Sequence, residues 1–270
     1  MERQFINLCR KGDLKGAKEF LKKCPYINVS VYDEAAFRGA CYRRYLEVAQ
    51  WLLTVKPDIN ISADNNFAFR YACQEGRLEF VKWLLSVKPD INILIWDFNT
   101  ACLNGHLEVA QLLLSVKPDI NISINNEHAF RSACFKGHLE VAKWLLSVKP
   151  DINISAKDEH SFLLACDYGH LEVAKWLLSV KPDIDISNHV FHYACINRHL
   201  EVAKWLQTLK SYLYVIEYDI NGKYTGYKIR SKEEANWEKR KYALHLAYQE
   251  ENNLLYHLPL DIAKAVTQFV

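Results

Sequence analysis

Long apolar runs and an excess of charge of one sign are both missing from this chain of 270 residues. Its 34 lysines and arginines nearly balance 32 aspartates and glutamates, so there is no electrostatic reason to expect binding to nucleic acid or to an anionic membrane. No apolar stretch approaches the roughly 18 residues of a membrane-spanning helix. Glycine is scarce and aromatic residues make up 13%, which argues against a disordered chain.

Signals for export and for common enzyme chemistries are also missing. The first twenty residues, MERQFINLCRKGDLKGAKEF, are charged throughout and lack the apolar core of a signal peptide, so we expect an intracellular, cytoplasmic protein. The sequence has no phosphate-binding loop, dinucleotide fingerprint, HExxH motif or serine–histidine–aspartate pattern. We therefore expect no enzyme activity, no catalytic residues, no metal site and no cofactor.

What the sequence does contain is an internal repeat. The frame LEVAKWLL recurs in steps of 32, 32, 29, 32, 32 and 29 residues. Its first leucine stands at Leu14, Leu46, Leu78, Leu107, Leu139, Leu171 and Leu200. Seven of the eight cysteines keep the same period, and each of the seven follows a phenylalanine by four residues. The three residues that the short steps lack fall between the helices, where deletions are tolerated.

Each unit is predicted to form two short helices and an extended return. In HAFRSAC, Phe130, Ala133 and Cys134 form an apolar stripe at helical spacing, and Gly137 is suited to end that helix. LEVAKWLLSV predicts a second amphipathic helix, which Pro150 terminates. The alternating, β-branched DINIS predicts an extended segment, and the polar NNE predicts a turn. Because one unit cannot bury its apolar face alone, the pattern predicts a solenoid of stacked units.

Four cysteines precede a histidine by four residues, which at first suggests metal ligands. The pairs are Cys102/His106, Cys134/His138, Cys166/His170 and Cys195/His199. The histidine position holds Asp13, Tyr45 and Arg77 in the other units, and arginine does not bind zinc. Stacked units about 8–10 Å apart would also exceed the roughly 7 Å between Cα atoms that a disulfide allows. We therefore interpret the repeated cysteine as a small buried residue at the end of the first helix.

Two other repeated residues have a structural and a functional interpretation. The tryptophan of the second helix is expected to pack between repeats, and the alternative is an exposed aromatic ladder. The asparagine of the sequence Asn-Ile/Val-Ser is expected to bond the local backbone rather than to carry a glycan. This asparagine occurs at Asn28, Asn60, Asn121 and Asn153.

The repeated unit resembles the ankyrin repeat. The matching residues are GHLEVAKWLL at 137–146 and 169–178, and DIN at 151–153, where that family has Asp-Val-Asn. The resemblance covers residues 1–209 and implies seven repeats of an all-α ankyrin solenoid, with helix–turn–helix units and β-hairpin fingers. The family's Thr-Pro-Leu-His motif and the glycine after its second helix are absent here. In the family, asparagines at the last position of Asp-Val-Asn are hydroxylation targets, so the resemblance implies an alternative role for Asn60, Asn92, Asn121 and Asn153. The recurring VKPDINIS is similar to the ankyrin arrays of giant DNA viruses of amoebae, which implies the cytoplasm of a host cell.

The resemblance also implies where a partner binds, on a concave surface of finger tips and first-helix ends. Positions that differ among the units while the frame stays constant are the finger tips and the two residues after each cysteine. Their mixture of aromatic and charged residues suits recognition of a protein partner by a monomer. We predict binding by Tyr42, Arg43, Gln74, Glu75, Trp96, Leu103, Asn104, Phe135, Lys136, Asp167, Tyr168, Ile196 and Asn197. The alternative is that these exposed positions vary without function.

The period stops after residue 209. Two aromatic and β-branched runs flank Asn221 and Gly222, which predicts a β-hairpin within residues 212–229. The residues that follow predict helices, so residues 210–270 are expected to form a hairpin and helical cap, or a degenerate eighth repeat.

The last thirteen residues, LPLDIAKAVTQFV, resemble the opening of an F-box, as in poxvirus ankyrin proteins. This resemblance implies an alternative function, a substrate adaptor for a ubiquitin ligase. The ligase adaptor would then bind Leu258, Pro259, Ile262 and Val266. The favoured prediction is a non-catalytic scaffold for protein–protein interaction.

Overall fold

A computed structural model describes residues 1–210, 213–231 and 233–234. In these ranges the chain forms seven consecutive pairs of α-helices and one two-stranded sheet. The first helices of the pairs are α1 (Glu2–Lys11), α3 (Val31–Tyr42), α5 (Ala63–Gln74), α7 (Ile95–Leu103), α9 (Ile124–Phe135), α11 (Ala156–Asp167) and α13 (Asn188–Ile196). The second helices are α2 (Leu14–Lys23), α4 (Leu46–Val55), α6 (Leu78–Val87), α8 (Leu107–Val116), α10 (Leu139–Val148), α12 (Leu171–Val180) and α14 (Leu200–Leu209).

The second helices form because their apolar residues recur at helical spacing. In α10, Val141, Ala142 and Leu145 are buried on one face. Glu140 and Lys143 lie on the solvent side and form an ion pair of 2.9 Å, which adds a few tenths of a kcal/mol in a helix. Proline at position 150 follows the last hydrogen-bonded residue and prevents the helix from continuing.

The chain divides into two compact units. The first unit comprises Met1–Ala165 and Glu172–Ile184, and the second comprises Cys166–Leu171 and the described residues from Asp185 onward. In the first unit the first helices pack in chain order, α1 on α3, α3 on α5, α5 on α7 and α7 on α9. In the second unit, α13 packs on α14.

The core of the first unit is built from the repeated phenylalanine and cysteine. Phe5, Phe37, Phe69, Phe98 and Phe130 are at most 1% exposed. Four of these rings contact the tryptophan of the next repeat, at centroid distances of 6.1–6.3 Å in the pairs Phe5–Trp51, Phe37–Trp83, Phe98–Trp144 and Phe130–Trp176. The prediction that tryptophan packs between repeats is therefore confirmed for these four pairs.

The fingers, the segments that join a second helix to the next first helix, differ from the implied β-hairpins. No strand is assigned anywhere in residues 1–210. Instead, the long fingers turn through consecutive residues in the left-handed helical region, such as Asp64, Asn65 and Asn66 with φ of 52–59°. This turn forms the beginning of α5 (Ala63–Gln74), so no returning strand is left to pair with the extended segment. Aspartate and asparagine tolerate left-handed conformations better than most residues.

Side chains tie the long fingers together. Asn60 Oδ1 accepts a hydrogen bond of 3.1 Å from Ser62 N, and the same bond recurs at Asn28, Asn121 and Asn153. The predicted bond between finger asparagine and local backbone is thus confirmed. The third left-handed residue reaches the next finger, since Glu34 Oε1 accepts from Asn60 N at 3.2 Å. Each tie joins two neighbouring repeats.

The short fingers close in another way. In the finger before α7, Asp97 Oδ2 accepts a hydrogen bond of 2.8 Å from Leu94 N, and Asp97 N donates to Leu94 O at 3.0 Å. The Asp97 carboxylate thus satisfies a free backbone N–H at the start of the helix, as the acidic residue of a capping box does. The leucine at the N-cap has no side-chain acceptor for the reciprocal bond. The first helix is retained although the finger has lost three residues, as the sequence predicts.

The sheet is the predicted C-terminal hairpin. Its strands, β1 (Tyr214–Tyr218) and β2 (Tyr224–Ile229), are antiparallel, and Gly222 in the turn has a φ of 75°. Tyr214 is fully buried, and its ring stacks on Phe191 at a centroid distance of 4.2 Å. Within the second unit, Tyr214 therefore covers the last repeated phenylalanine, as tryptophan covers four of the earlier ones. The cap and its extent of 210–270 stay a prediction, because the proposed helices and eighth repeat lie largely outside the described residues.

Candidate functional site

The cysteines of the Cys-x3-His pattern point into the core. Cys102 and Cys134 are fully buried, and all eight cysteines are free thiols. Burial raises the pKa of the Cys9 thiol to about 12, and it raises the pKa of the Cys134 thiol well above its usual range. A thiolate is the reactive and metal-binding form, so these residues suit packing rather than chemistry. The prediction of a buried, structural cysteine is confirmed.

The histidines of this pattern lie over the turn of the preceding repeat. The turn residues Gly76 and Gly105 are left-handed, with φ of 66° and 78°, and the rings of His106 and His138 fill the space beside them. His106 Nε2 also lies 3.0 Å from Gln74 O. Within the described ranges, no three His, Cys, Asp or Glu side chains are grouped as a metal site would require. The histidine that suggests a metal ligand instead packs on the turn of the preceding repeat. We call this contact between the turn residue and the histidine ring the joint.

The turn of the second repeat departs from this joint and shows why the histidine position varies. Arg44 occupies the left-handed place with a φ of 72°, and the next repeat has Arg77 instead of a ring. Arg77 donates from a terminal nitrogen to Cys41 O at 2.7 Å. Here both partners of the joint differ from those of the histidine-containing joints, since arginine replaces glycine at the turn and also replaces histidine in the next repeat.

An aromatic stack lies on the first helices of the second and third repeats. The rings of Phe67 and Tyr71, one helical turn apart in α5, are nearly parallel with centroids 5.9 Å apart. Tyr42 of α3 packs against Tyr71 at 4.5 Å. The guanidinium groups of Arg38, Arg43 and Arg77 lie 5.7, 5.4 and 4.7 Å from the rings of Phe67, Tyr42 and Tyr71 respectively. Such contacts hold the rings in place by aromatic and cation–π attraction.

A cleft of about 410 Å³ opens beside this stack. One wall carries Phe67, Tyr71 and Gln74 of α5, and the other carries Leu94 and Trp96. Trp96 is 61% exposed, and its ring meets the edge of His128 at a centroid distance of 6.4 Å. The cleft lies where a long finger, which supplies Asn65, is followed by a short one.

The helix pairs, the stacked core and the fingers agree with comparisons against known families. A family model described as three copies of ankyrin repeats matches residues 5–95, and one described as many copies matches residues 98–146 and 162–207. The chain belongs to the ankyrin-repeat family. Ankyrin repeats are generally protein–protein interaction modules. A search among curated proteins found no match to the ankyrin chain. No helix in the described part of the chain combines the length and apolarity needed to cross a membrane.

The ankyrin frame brings together some of the predicted binding residues. Tyr42 belongs to the aromatic stack, and Gln74 and Trp96 line the cleft. Glu75 forms ion pairs with Arg44 at 3.7 Å and with Arg77 at 4.0 Å.

Other predicted residues lie outside the cleft. In the first unit, the predicted residues Arg43, Leu103, Asn104, Phe135 and Lys136 are not among the cleft-lining side chains. Asn104 Nδ2 donates to Gln74 O at 2.9 Å, which makes it part of the joint. In the second unit, Asn197 Nδ2 donates to Asp167 Oδ1 at 2.6 Å, while Tyr168 and Ile196 are about half exposed.

Sequence reasoning missed Phe67, Arg70 and Tyr71. The signal was present, because Phe67, Tyr71 and Gln74 are spaced by four and three residues and so share one face of α5. The prediction had used the positions after the cysteine and missed those that precede it on the same face.

Some charged side chains around the cleft form ion pairs, and others do not. Asp64 forms an ion pair with Arg38, and burial raises the pKa of Asp97 to about 6 although the Leu94 N–H and the Arg70 charge lower it. Arg70 is exposed and donates one hydrogen bond of 3.3 Å to Asn65 O. Among the residues that the structure describes, Arg43 and Arg70 form no ion pair.

Proposed function

We propose that this chain is a non-catalytic scaffold that binds a protein partner through the exposed face of its first helices. The observation that carries this proposal is the aromatic stack with its guanidinium groups beside an open cleft. Tyrosine, tryptophan and arginine are the residues that most often dominate the binding energy of protein interfaces. The rings are held before a partner arrives, which lowers the entropic cost of binding.

The chemistry of the described residues supports a scaffold more than an enzyme. The repeated cysteines are buried with raised pKa values, and the histidines of the turns are joints between repeats. Ankyrin-repeat proteins are typically non-catalytic scaffolds. A cytoplasmic location, a monomeric state, the absence of nucleic-acid binding and a viral source stay predictions from the sequence.

The ubiquitin-ligase alternative has no structural support. Its predicted contacts, Leu258, Pro259, Ile262 and Val266, lie outside the described residues. The comparisons match ankyrin repeats only as far as residue 207.

A four-residue variant tests the scaffold proposal. Alanine at Tyr42, Trp96, Phe135 and Tyr168 removes aromatic side chains from three first helices and from the residue that follows α11. We expect the variant to lose partner capture in a cross-linking and pull-down experiment, while circular dichroism shows an unchanged helical fold. A matched control replaces four exposed residues elsewhere with alanine, namely Tyr26, Val87, Val116 and Val148. Capture that is equal for wild type, variant and control would refute binding by the first-helix face.

A further inference from the structure

We propose that the cleft between α5 and the start of α7 binds an acidic linear peptide of the partner, with one apolar side chain in the cleft and carboxylates at Arg70 and Arg43. This inference rests on the proposed function and deepens it. The cleft is the one part of the first-helix face for which both the shape and the charge of an occupant can be argued.

The apolar part of the occupant follows from the walls. Phe67 and Tyr71 face the cleft from one side, and Leu94 and Trp96 face it from the other. A volume of about 410 Å³ lies within the range of roughly 300–1,000 Å³ of ordinary ligand pockets. It is large enough for one large apolar side chain, whose burial there removes apolar surface of both molecules from water.

The walls are rigid enough to select an occupant. Phe67 and Tyr71 stack on each other, and Tyr42 supports them from the neighbouring repeat. Trp96 is the second residue of α7, where Thr100 Oγ1 donates to Trp96 O at 2.6 Å and the Asp97 carboxylate accepts from Leu94 N. Because the short finger is fixed by local bonds, the cleft is present before binding.

The acidic part of the occupant follows from the charges that remain. Near the cleft, Asp64 pairs with Arg38 and Glu75 pairs with Arg44 and Arg77. The buried Asp97 accepts a hydrogen bond from Leu94 N and feels the Arg70 charge, but within the described residues it forms no ion pair with Arg70. Arg70 lines the cleft, and Arg43 lies over the ring of Tyr42, which packs on Tyr71. Charge complementarity therefore favours a partner segment with carboxylates near its apolar anchor.

A peptide fits this surface better than a nucleic acid. The faces of Tyr42, Phe67 and Tyr71 are engaged by one another and by guanidinium groups, so they are poorly placed to stack on bases. The side-chain amide of Gln74 lies on the cleft wall and can bond a peptide main chain.

Selection from a displayed random-peptide library against the full chain tests the inference. We expect wild type to enrich peptides with an aromatic residue or leucine close to aspartates or glutamates. A synthetic peptide of the enriched consensus should bind Trp96→Ala and Arg70→Glu at least about tenfold more weakly in fluorescence anisotropy. Arg70→Glu should also shift its own selection toward lysine and arginine. Trp96 and Arg70 are exposed, so both variants should fold, which thermal unfolding checks.

The matched control is Tyr26→Ala, which removes a fully exposed aromatic residue that lies outside the first helices and outside the cleft. It should bind the consensus peptide within about twofold of wild type. Peptides without acidic residues, or binding that survives both Trp96→Ala and Arg70→Glu, would overturn the inference. Failure to enrich any peptide would do the same.

Two further outcomes separate the inference from the proposed function. If the enriched peptides depend on Phe135 and not on Trp96, the face still binds protein but the cleft is not the site. If a mixed-sequence single-stranded DNA oligonucleotide binds through Trp96 and Arg70 while no acidic peptide is enriched, a nucleic acid is the occupant and the inference fails. Intact partner capture by the four-alanine variant would refute the proposed function itself.

Discussion

The fingers, which lead into the first helices, occur in two lengths. The turns, which join the two helices of one repeat, have one length, since every repeat has five residues from its cysteine to the following leucine. The fingers are closed by side chains, either Asp97 within one repeat or Glu34 and Glu127 reaching the next one. The turns are closed by a left-handed residue in one repeat and a side chain from the next. The length of a finger can vary, because the side chain that closes it lies in the same finger or can reach the next one. The length of a turn cannot vary, because its left-handed residue must contact one particular side chain of the next repeat.

The largest expected effect is at the turn end, with Gly105→Ala. The alanine would have to adopt the left-handed backbone conformation, and its Cβ would lie 2.5 Å from His138 Nδ1. We expect a loss of about 3–4 kcal/mol in the free energy of unfolding, from the left-handed alanine and the overpacked ring together. Urea-induced unfolding followed by circular dichroism measures it.

The control for the turn is Arg44→Ala, at the equivalent place where no ring lies above. This change should cost less than about 1 kcal/mol, because the exposed Arg44–Glu75 pair contributes little. In the double variant with His138→Ala, the steric part of the Gly105→Ala loss should disappear. Similar losses for Gly105→Ala and Arg44→Ala would show that the ring does not define the turn.

At the short finger, Asp97→Asn should change the pH dependence of stability. Burial raises the pKa of Asp97 from 3.8 to about 6, so the folded chain holds this proton more tightly than the unfolded chain does. Its contribution to stability is therefore complete below about pH 4 and is lost as the pH rises to about 6.

Asparagine keeps an oxygen acceptor for Leu94 N but has no charge to bury. The stability difference between Asp97→Asn and wild type should grow from near zero below pH 4 to about 2–3 kcal/mol at pH 7, in favour of the variant. Urea unfolding at a series of pH values measures this difference. Parallel pH profiles for the two proteins would contradict the raised pKa.

At the long fingers, Glu127→Ala should break the tie to the next repeat. Glu127 Oε1 accepts from Asn153 N at 3.5 Å, and its loss should cost about 1 kcal/mol in the free energy of unfolding. Glu127→Gln is the matched control, because the amide oxygen can accept the same bond. Equal effects of the two substitutions in thermal unfolding would show that the tie is not what stabilises the finger.

The smallest expected effect comes from the left-handed backbone itself. Tyr32 is exposed and has a φ of 55°, so Tyr32→Gly should stabilise the chain by about 0.5 kcal/mol. Ala35→Gly, on the right-handed part of the same helix, should destabilise it by about 0.5–1 kcal/mol. Melting temperatures that move in the same direction for both variants would contradict the left-handed turn.

The helix pairs could largely be predicted from the sequence, because they depend on apolar residues that recur at helical spacing. The stripe of Phe130, Ala133 and Cys134 gave the first helix, and Asn221-Gly222 gave the hairpin. The left-handed fingers could not be predicted from alternation in DINIS, because the backbone direction is set by the Asp and Asn residues that follow. The clue was the recurrence of these residues in the middle of each finger, at Asp33, Asn65 and Asn126.

The candidate site was predicted only in part for a related reason. Tyr42, Gln74 and Trp96 were found because they vary between repeats. Phe67 and Tyr71 were missed because their role depends on stacking with a ring from the neighbouring repeat. The joint of Gly105 and His138 was missed likewise, since its two residues are distant in the sequence and belong to different units of the period.

The joint at the turns has a consequence for how such an array can grow. A repeat with glycine at its turn and histidine just before its second helix takes part in two joints. Its histidine packs on the turn of the preceding repeat, and its glycine receives the histidine of the following repeat. A gene segment that encodes such a repeat can be copied in tandem, and every new junction is complete at once. The second and third repeats are different, because Arg44 in one is matched to Arg77 in the other. They form a module that must be duplicated or lost together.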